Sequence, residues 1–135
     1  MTMHVEIVSP ERILWSGDAG MVTARTIEGG DISFQTDHAP FVGALQIGQV
    51  KILPDDVEAD VVIFAVHGGF VEVSNNEVSV LSDVAEPGDG IDVERAQAAL
   101  AQATAALATD PLDAAATDAA RRATVRLAAA GVVTV

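Results

Sequence analysis

The chain has 135 residues, half of them hydrophobic, no cysteine and a formal net charge of −13. That length fits one medium domain or a small domain with an appendage, and the apolar half supplies a core. The absent thiols exclude disulfides and Cys-ligated zinc, and the charge disfavours non-specific binding to nucleic acid or anionic lipid. The opening Met-Thr-Met-His-Val-Glu lacks the basic-then-apolar layout of a signal peptide. No apolar run approaches the ~20 residues that span a bilayer. Direct membrane insertion is therefore not expected, whereas docking on a membrane assembly is compatible.

In chain order, Val5 and Ile7 alternate with His4 and Glu6, the pattern of a half-buried strand. Ser9 to Arg12 is turn chemistry, and Ile13-Leu14-Trp15 resumes a strand. Gly20 to Ile27 and Ile32 to Gln35 read as strands around the turn Glu28-Gly29-Gly30-Asp31. Phe41 to Leu45 and Ile47 to Ile52 read as two more, after the loop Thr36 to Pro40. Val57 to Val66 is β-branched enough for a central strand, with His67-Gly68-Gly69 expected to interrupt it. Phe70 to Val73 and Val78 to Leu81 then form a hairpin through Asn75-Asn76, since Asn tolerates positive φ. Many short strands at this spacing predict a β-sandwich or flattened barrel.

The period changes at residues 84–100. Pro87, Gly88 and Gly90 break the chain, and Asp92 restarts it as a helix N-cap with Glu94 in the first turn. Ala96, Leu100, Ala103 and Leu107 recur at helical spacing. Asp110-Pro111 reads as the cap and first position of a second helix, from about Leu112 to Ala130, stopped at Gly131. The expected organisation is a sandwich over 1–86, a linker over 87–91 and an antiparallel two-helix hairpin over 92–135, an α+β chain. Alanine-rich helices bury little area, so the hairpin is expected to be marginal by itself.

Charge divides along the same line. Residues 1–91 carry 15 of the 20 acids against Arg12, Arg25 and Lys51, whereas residues 92–135 carry five acids and four arginines. An anion meets less repulsion in the helical part. Arg122 and Arg126 are four apart on one helical face and suit phosphate oxygens, with Asp118 placed to pair with Arg122. The three histidines are scattered, no Walker-type loop or GxSxG elbow is present, and no carboxylates form an evident acid/base pair. Neither a metal site nor catalytic residues are expected.

Several segments resemble the epsilon subunit of the bacterial F-type ATP synthase. Val5-Glu6-Ile7-Val8-Ser9-Pro10-Glu11 resembles its opening strand and turn. Gly29-Gly30-Asp31-Ile32, leading to His38-Ala39-Pro40, is similar to its Gly-Glu strand and His-Ala-Pro loop. Gly68-Gly69-Phe70-Val71-Glu72-Val73 and the segment Asn76 to Glu86 resemble the strands that complete its sheet domain. The resemblance implies a ten-stranded β-sandwich followed by a helical hairpin. It implies a non-catalytic rotor subunit on the cytoplasmic face of the cell inner membrane, against the gamma subunit and c-ring. It also implies hairpin helices that restrain ATP hydrolysis when extended toward the alpha and beta subunits. The loop Thr36 to Pro40, with Asp31 nearby and with Phe41 and Val42 following, is the implied interface, His38 and Pro40 included.

By the same resemblance, Ile91-Asp92-Val93-Glu94-Arg95-Ala96 fits the family's nucleotide motif. Glu86 matches its upstream Glu, and Arg122 and Arg126 match its second-helix arginine pair. The implied ATP-binding set is Glu86, Ile91, Asp92, Arg95, Ala96, Arg122 and Arg126, for a weak regulatory ATP rather than a required cofactor. Gln102 stands where ATP-binding members carry a further arginine, which removes one phosphate donor. The alternative function is a free-standing ligand-binding sandwich with the hairpin as a lid.

Overall fold

The computed structural model describes residues 2–56 and 58–132. Eight strands come first: β1 (Met3–Val8), β2 (Ile13–Ala19), β3 (Met21–Thr26), β4 (Gly30–Gln35), β5 (Phe41–Leu53), β6 (Val62–Ser74), β7 (Glu77–Leu81) and β8 (Ala85–Pro87). One 3-10 turn (Gly88–Gly90) leads to α1 (Val93–Thr109) and α2 (Ala114–Ala129). Met1, Val57 and the last three residues of the expected 92–135 segment lie outside the described residues.

The strands form a continuous ladder, β2-β1-β7-β6-β5-β3-β4, with β8 added on β6. β1 runs parallel to β7, and the other pairs are antiparallel. Alternate residues turn inward, as the two-residue period demands: Met3, Val5 and Ile7 on β1, Val22 and Ala24 on β3, Val50 and Ile52 on β5. With Phe34, Phe64, Val71 and Val80 they make one buried cluster between the layers of the sandwich.

The strand count is eight rather than ten, because two pairs of expected strands are single long ones. β5 and β6 have 13 residues each. His67-Gly68-Gly69 does not interrupt β6. Gly68 and Gly69 hold φ of 89° and 118°, values that β-carbon-bearing residues avoid. The strand therefore bends and keeps pairing in one register, Leu45 with Gly69 and Ile47 with His67, on either side of Gln46. One half of β6 pairs with β8 and the other with β7. The strand expected from Val57 begins at Val62. Asn75 and Asn76 hold φ of 51° and 60°, giving the expected two-residue turn between β6 and β7.

Asp92 caps α1, its carboxylate accepting the backbone N–H of Arg95 at 3.1 Å. The cap of α2 is Asp113, not Asp110: it accepts the N–H of Ala116 at 3.0 Å. Asp110 still donates its own N–H to Ala106, so it closes α1, and Pro111-Leu112 is spent reversing the chain. Gly131, at φ 85°, ends α2 with Gly131 N–H on Ala128 O and Val132 N–H on Leu127 O. The hairpin is antiparallel. α2 lies across β5 and β6 through the buried Ala123 and Leu127, and α1 packs mainly on α2 through Ala96 and Ala103. The expected Asp118–Arg122 ion pair does not form among the described residues.

Candidate functional site

One carboxylate fastens the hairpin to the sandwich. On β6 and β8, Ala65 faces Glu86, which makes His67 its diagonal neighbour across the ladder. Glu86 Oε1 accepts from His67 Nε2 at 2.9 Å and from Arg126 Nε of α2 at 2.7 Å. The two bonds join β6, β8 and α2 at a single oxygen. The His67 side chain is 4% exposed, and Glu86 and Arg126 are about one-third exposed.

Because Nε2 faces an acceptor, it carries the His67 proton, and Nδ1 keeps a lone pair. Nδ1 is buried with no hydrogen-bond partner. Burial pushes the His67 imidazole below its ordinary value against the pull of Glu86, and the charges of Arg126 and Arg122 push the same way. His67 is therefore neutral at pH 7. Burial raises Glu86, but donation by Arg126 and His67 outweighs it and leaves the net shift downward.

Beside this clip, between the start of α1 and the face of α2, is a cleft of about 380 Å³. Glu86, Gly90, Ile91, Asp92, Arg95, Ala96, Ala99 and Arg126 line it. Six of the seven residues nominated from sequence thus converge. The seventh, Arg122, does not line the cleft; its charge is felt at His67 instead. Two arginines rather than three face the space, and one oxygen of Asp92 is committed to the helix cap. The arrangement offers guanidinium donors for an anion, carboxylate oxygens for amino or hydroxyl donors, and a small apolar wall at Ile91, Ala96 and Ala99. Sequence reasoning missed His67 as a member. A histidine ending the apolar run Val61 to Val66 is costly to bury without a partner, and that was the available signal.

The nominated interface residues divide. His38 stands edge-on to Phe34 at 5.0 Å between ring centres, and Phe41 packs on the same Phe34 at 5.4 Å. Asp37 donates its N–H to Asn76 Oδ1 at 2.6 Å, so the loop through Pro40 is bound to the β6–β7 turn. Asp31 is not near this loop. It sits at the far end of β4, paired with Arg25 at 2.9 and 3.2 Å beneath α2. That pairing holds the Asp31 carboxyl below its usual range. Val42 is 71% exposed. An apolar row that sequence reasoning missed crosses the sheet next to it. Ala44, Phe70, Leu81, Val8 and Ile13 are successive ladder partners on β5, β6, β7, β1 and β2. Phe70 and Ile13 are each 57% exposed, and Leu81 is 44% exposed.

A sandwich with a helical hairpin clipped to it beside an arginine-bearing cleft, and with a bare apolar row on the sheet, defines a two-part binding module. Residues 2–88 match the family model for the ATP synthase, Delta/Epsilon chain, beta-sandwich domain. An ATP synthase epsilon chain of Streptomyces griseus is 45% identical over 130 residues, covering 96% of both chains. One of Thermosynechococcus vestitus is 39% identical over 137 residues, covering 97% of this chain and 96% of that one. The fold agrees with a chain in the cryo-EM structure of the Euglena gracilis mitochondrial ATP synthase, with a TM-score of 0.70 at 20% identity over 93% of this chain and 75% of that one. The chain belongs to the delta/epsilon chain family of ATP synthase.

Proposed function

We propose that this chain is a non-catalytic rotor subunit in the central stalk of an F-type ATP synthase, coupling proton flow through the c-ring to ATP synthesis. In this reading it sits at the cytoplasmic face of the membrane, held there by its partners. No described helix is long and apolar enough to cross a membrane. The observation that carries the reading is the likeness to epsilon chains over nearly the full length, helices included. Two solved relatives of the fold come from mitochondrial ATP synthase structures, one titled for its OSCP, F1 and c-ring, the other for its central stalk and c-ring. The exposed row at Phe70 and Leu81 fits an apolar surface of the gamma subunit, because large apolar side chains left bare on a sheet mark a docking surface. The loop at His38 and Pro40, braced by Asn76, fits the c-ring.

The hairpin is the regulatory arm in this reading. Docked, it covers β5 and β6; released, its helices extend toward the alpha and beta subunits and restrain hydrolysis. Two packings that differ by a few contacts make such an element bistable. ATP bound in the cleft favours the docked packing, with Arg126 and Arg95 on the phosphates and Glu86, Asp92 and Ile91 around the nucleoside. Each charge-assisted contact contributes about 1.5–3 kcal/mol before desolvation and ordering costs. With two of the three expected arginines facing the cleft and Gln102 where the resemblance implies a further one, the affinity is expected near millimolar, about −4 to −6 kcal/mol. In an NMR titration, millimolar ATP should shift resonances of residues 86–96 and of Arg126, and Arg126→Ala should abolish the shifts. No shift at any of these positions leaves Asp92 a helix cap and nothing more.

A further inference from the structure

His67 is a buried titratable group that holds Glu86 but lines neither the cleft nor the apolar row. Glu86 faces it from β8, and Arg122 and Arg126 from α2. Asp83, from the turn before β8, lines the neighbouring groove with it. Its ladder partner on β5 is Ile47, which does not titrate.

We infer that the proton is a ligand of this joint: protonation of His67 releases the hairpin from the sandwich, so that the docked arm senses acid. The inference rests on the reading of the hairpin as a movable arm and adds what moves it. The neutral ring donates Nε2–H to Glu86 and leaves a lone pair at Nδ1, buried and without a partner. The protonated ring must put a second N–H at that same place, where no acceptor stands and water is excluded. It must do so beside two guanidiniums carried by α2. The second penalty belongs to the docked state alone, because lifting α2 removes Arg122 and Arg126 and leaves Glu86 to the ring.

The sign follows. His67 in the docked chain lies below the ordinary 6.5, through burial first and the α2 arginines second. Above that value both states hold a neutral ring, and docking is unaffected. As pH falls through it, the released state takes up a proton that the docked state refuses, and docking weakens by up to about tenfold per pH unit. The loss is complete once pH passes the lowered docked value. Glu86 is also lowered, but from 4.5, so it acts at more acid pH. His4 is raised, by Glu6 first and then Asp18, on the exposed β1–β2 ribbon; its contribution is lost as pH rises, the opposite direction.

The chain has no native cysteine. Spin labels at Asp60→Cys and Asp118→Cys, both exposed positions, therefore report the distance between sandwich and α2 in the full chain. Going from pH 7.5 to 5.5, the ratio of released to docked hairpin should rise about three- to tenfold. In His67→Gln, which keeps an N–H for Glu86 and cannot titrate, the ratio should stay constant. In the unsubstituted protein, the His67 imidazole resonance should titrate below 6.5 and track release. Arg126→Ala at pH 7.5 tests the arm separately and should release it. If Arg126→Ala releases the hairpin while acid does not, the proton inference fails and the movable arm stands. An equal acid response in His67→Gln, or an imidazole that titrates at or above 6.5, likewise overturns the inference. If Arg126→Ala stays docked, the arm reading itself is wrong, and the inference falls with it.

Discussion

Replacing Gly69 with alanine is expected to destabilise the sandwich by about 3–4 kcal/mol, a large fraction of the stability of a domain of this size. A β-carbon there would stand 2.0 Å from the carbonyl oxygen of Leu81 and 3.0 Å from Ser82 Cα, both backbone atoms with no rotamer to turn aside. The φ of 118° adds strain for any residue with a β-carbon. β6 and β7 must therefore separate at this point. Gly68→Ala is the matched control. Its φ of 89° is also positive, but the nearest atom is 3.9 Å away. It should cost only the backbone strain, about 1–2 kcal/mol. Urea denaturation of both variants checks this, with an unchanged slope and a midpoint that falls further for Gly69. Equal losses at the two positions would mean that the close approach to Leu81 does not matter.

Gly88→Ala is expected to free the hairpin and leave the sandwich folded. A β-carbon at Gly88 would meet the carbonyl oxygen of Ala129 at 2.1 Å and that of Ile63 at 3.3 Å. Gly88 is thus wedged between the end of α2 and the start of β6. The sheet cannot yield without breaking its ladder, so α2 must lift, and the Glu86–Arg126 bond must lengthen with it. Overpacking of this kind costs about 1–3 kcal/mol. That is enough to shift the docking equilibrium roughly 5- to 150-fold, at 1.4 kcal/mol per tenfold. Proteolysis should cut within residues 91–132 faster than in the parent, while β-sheet circular dichroism is retained. A protected hairpin in this variant would show that its docking does not depend on the Gly88 contact.

The sequence carries the two halves of this chain plainly, because the hydrophobic period changes from two to that of a helix at Asp92 and because Asp92 itself has the chemistry of a cap. The ladder was harder to read. Gln46 and His67-Gly68-Gly69 look like breaks, since polar and glycine residues interrupt an apolar alternation. In the structure they are the bend of two long strands, and only pairing between distant residues decides that. The start of α2 was ambiguous for a local reason: Asp110 and Asp113 are both good caps, and the choice falls to which N–H α1 still satisfies. In the cleft, residues 91–96 come together by helical spacing alone. Glu86 and Arg126 meet only through tertiary packing. That Arg122 does not line the cleft depends on the rotation of α2 on the sheet, which four-residue spacing does not fix. The exposed row from Ala44 to Ile13 draws one residue from each of five strands, so no window of sequence contains it.

The central claim is that the sandwich docks on the gamma subunit through its bare sheet face. Calorimetric titration of the full chain with purified gamma subunit tests it directly. The account predicts a one-to-one complex that Phe70→Asp weakens by at least about a hundredfold, or about 2.8 kcal/mol, since a carboxylate there is desolvated without a partner. Gly88→Ala, which alters only the arm, should bind within about tenfold of the parent. No heat and no complex with the parent chain, or equal affinity for Phe70→Asp, would contradict it.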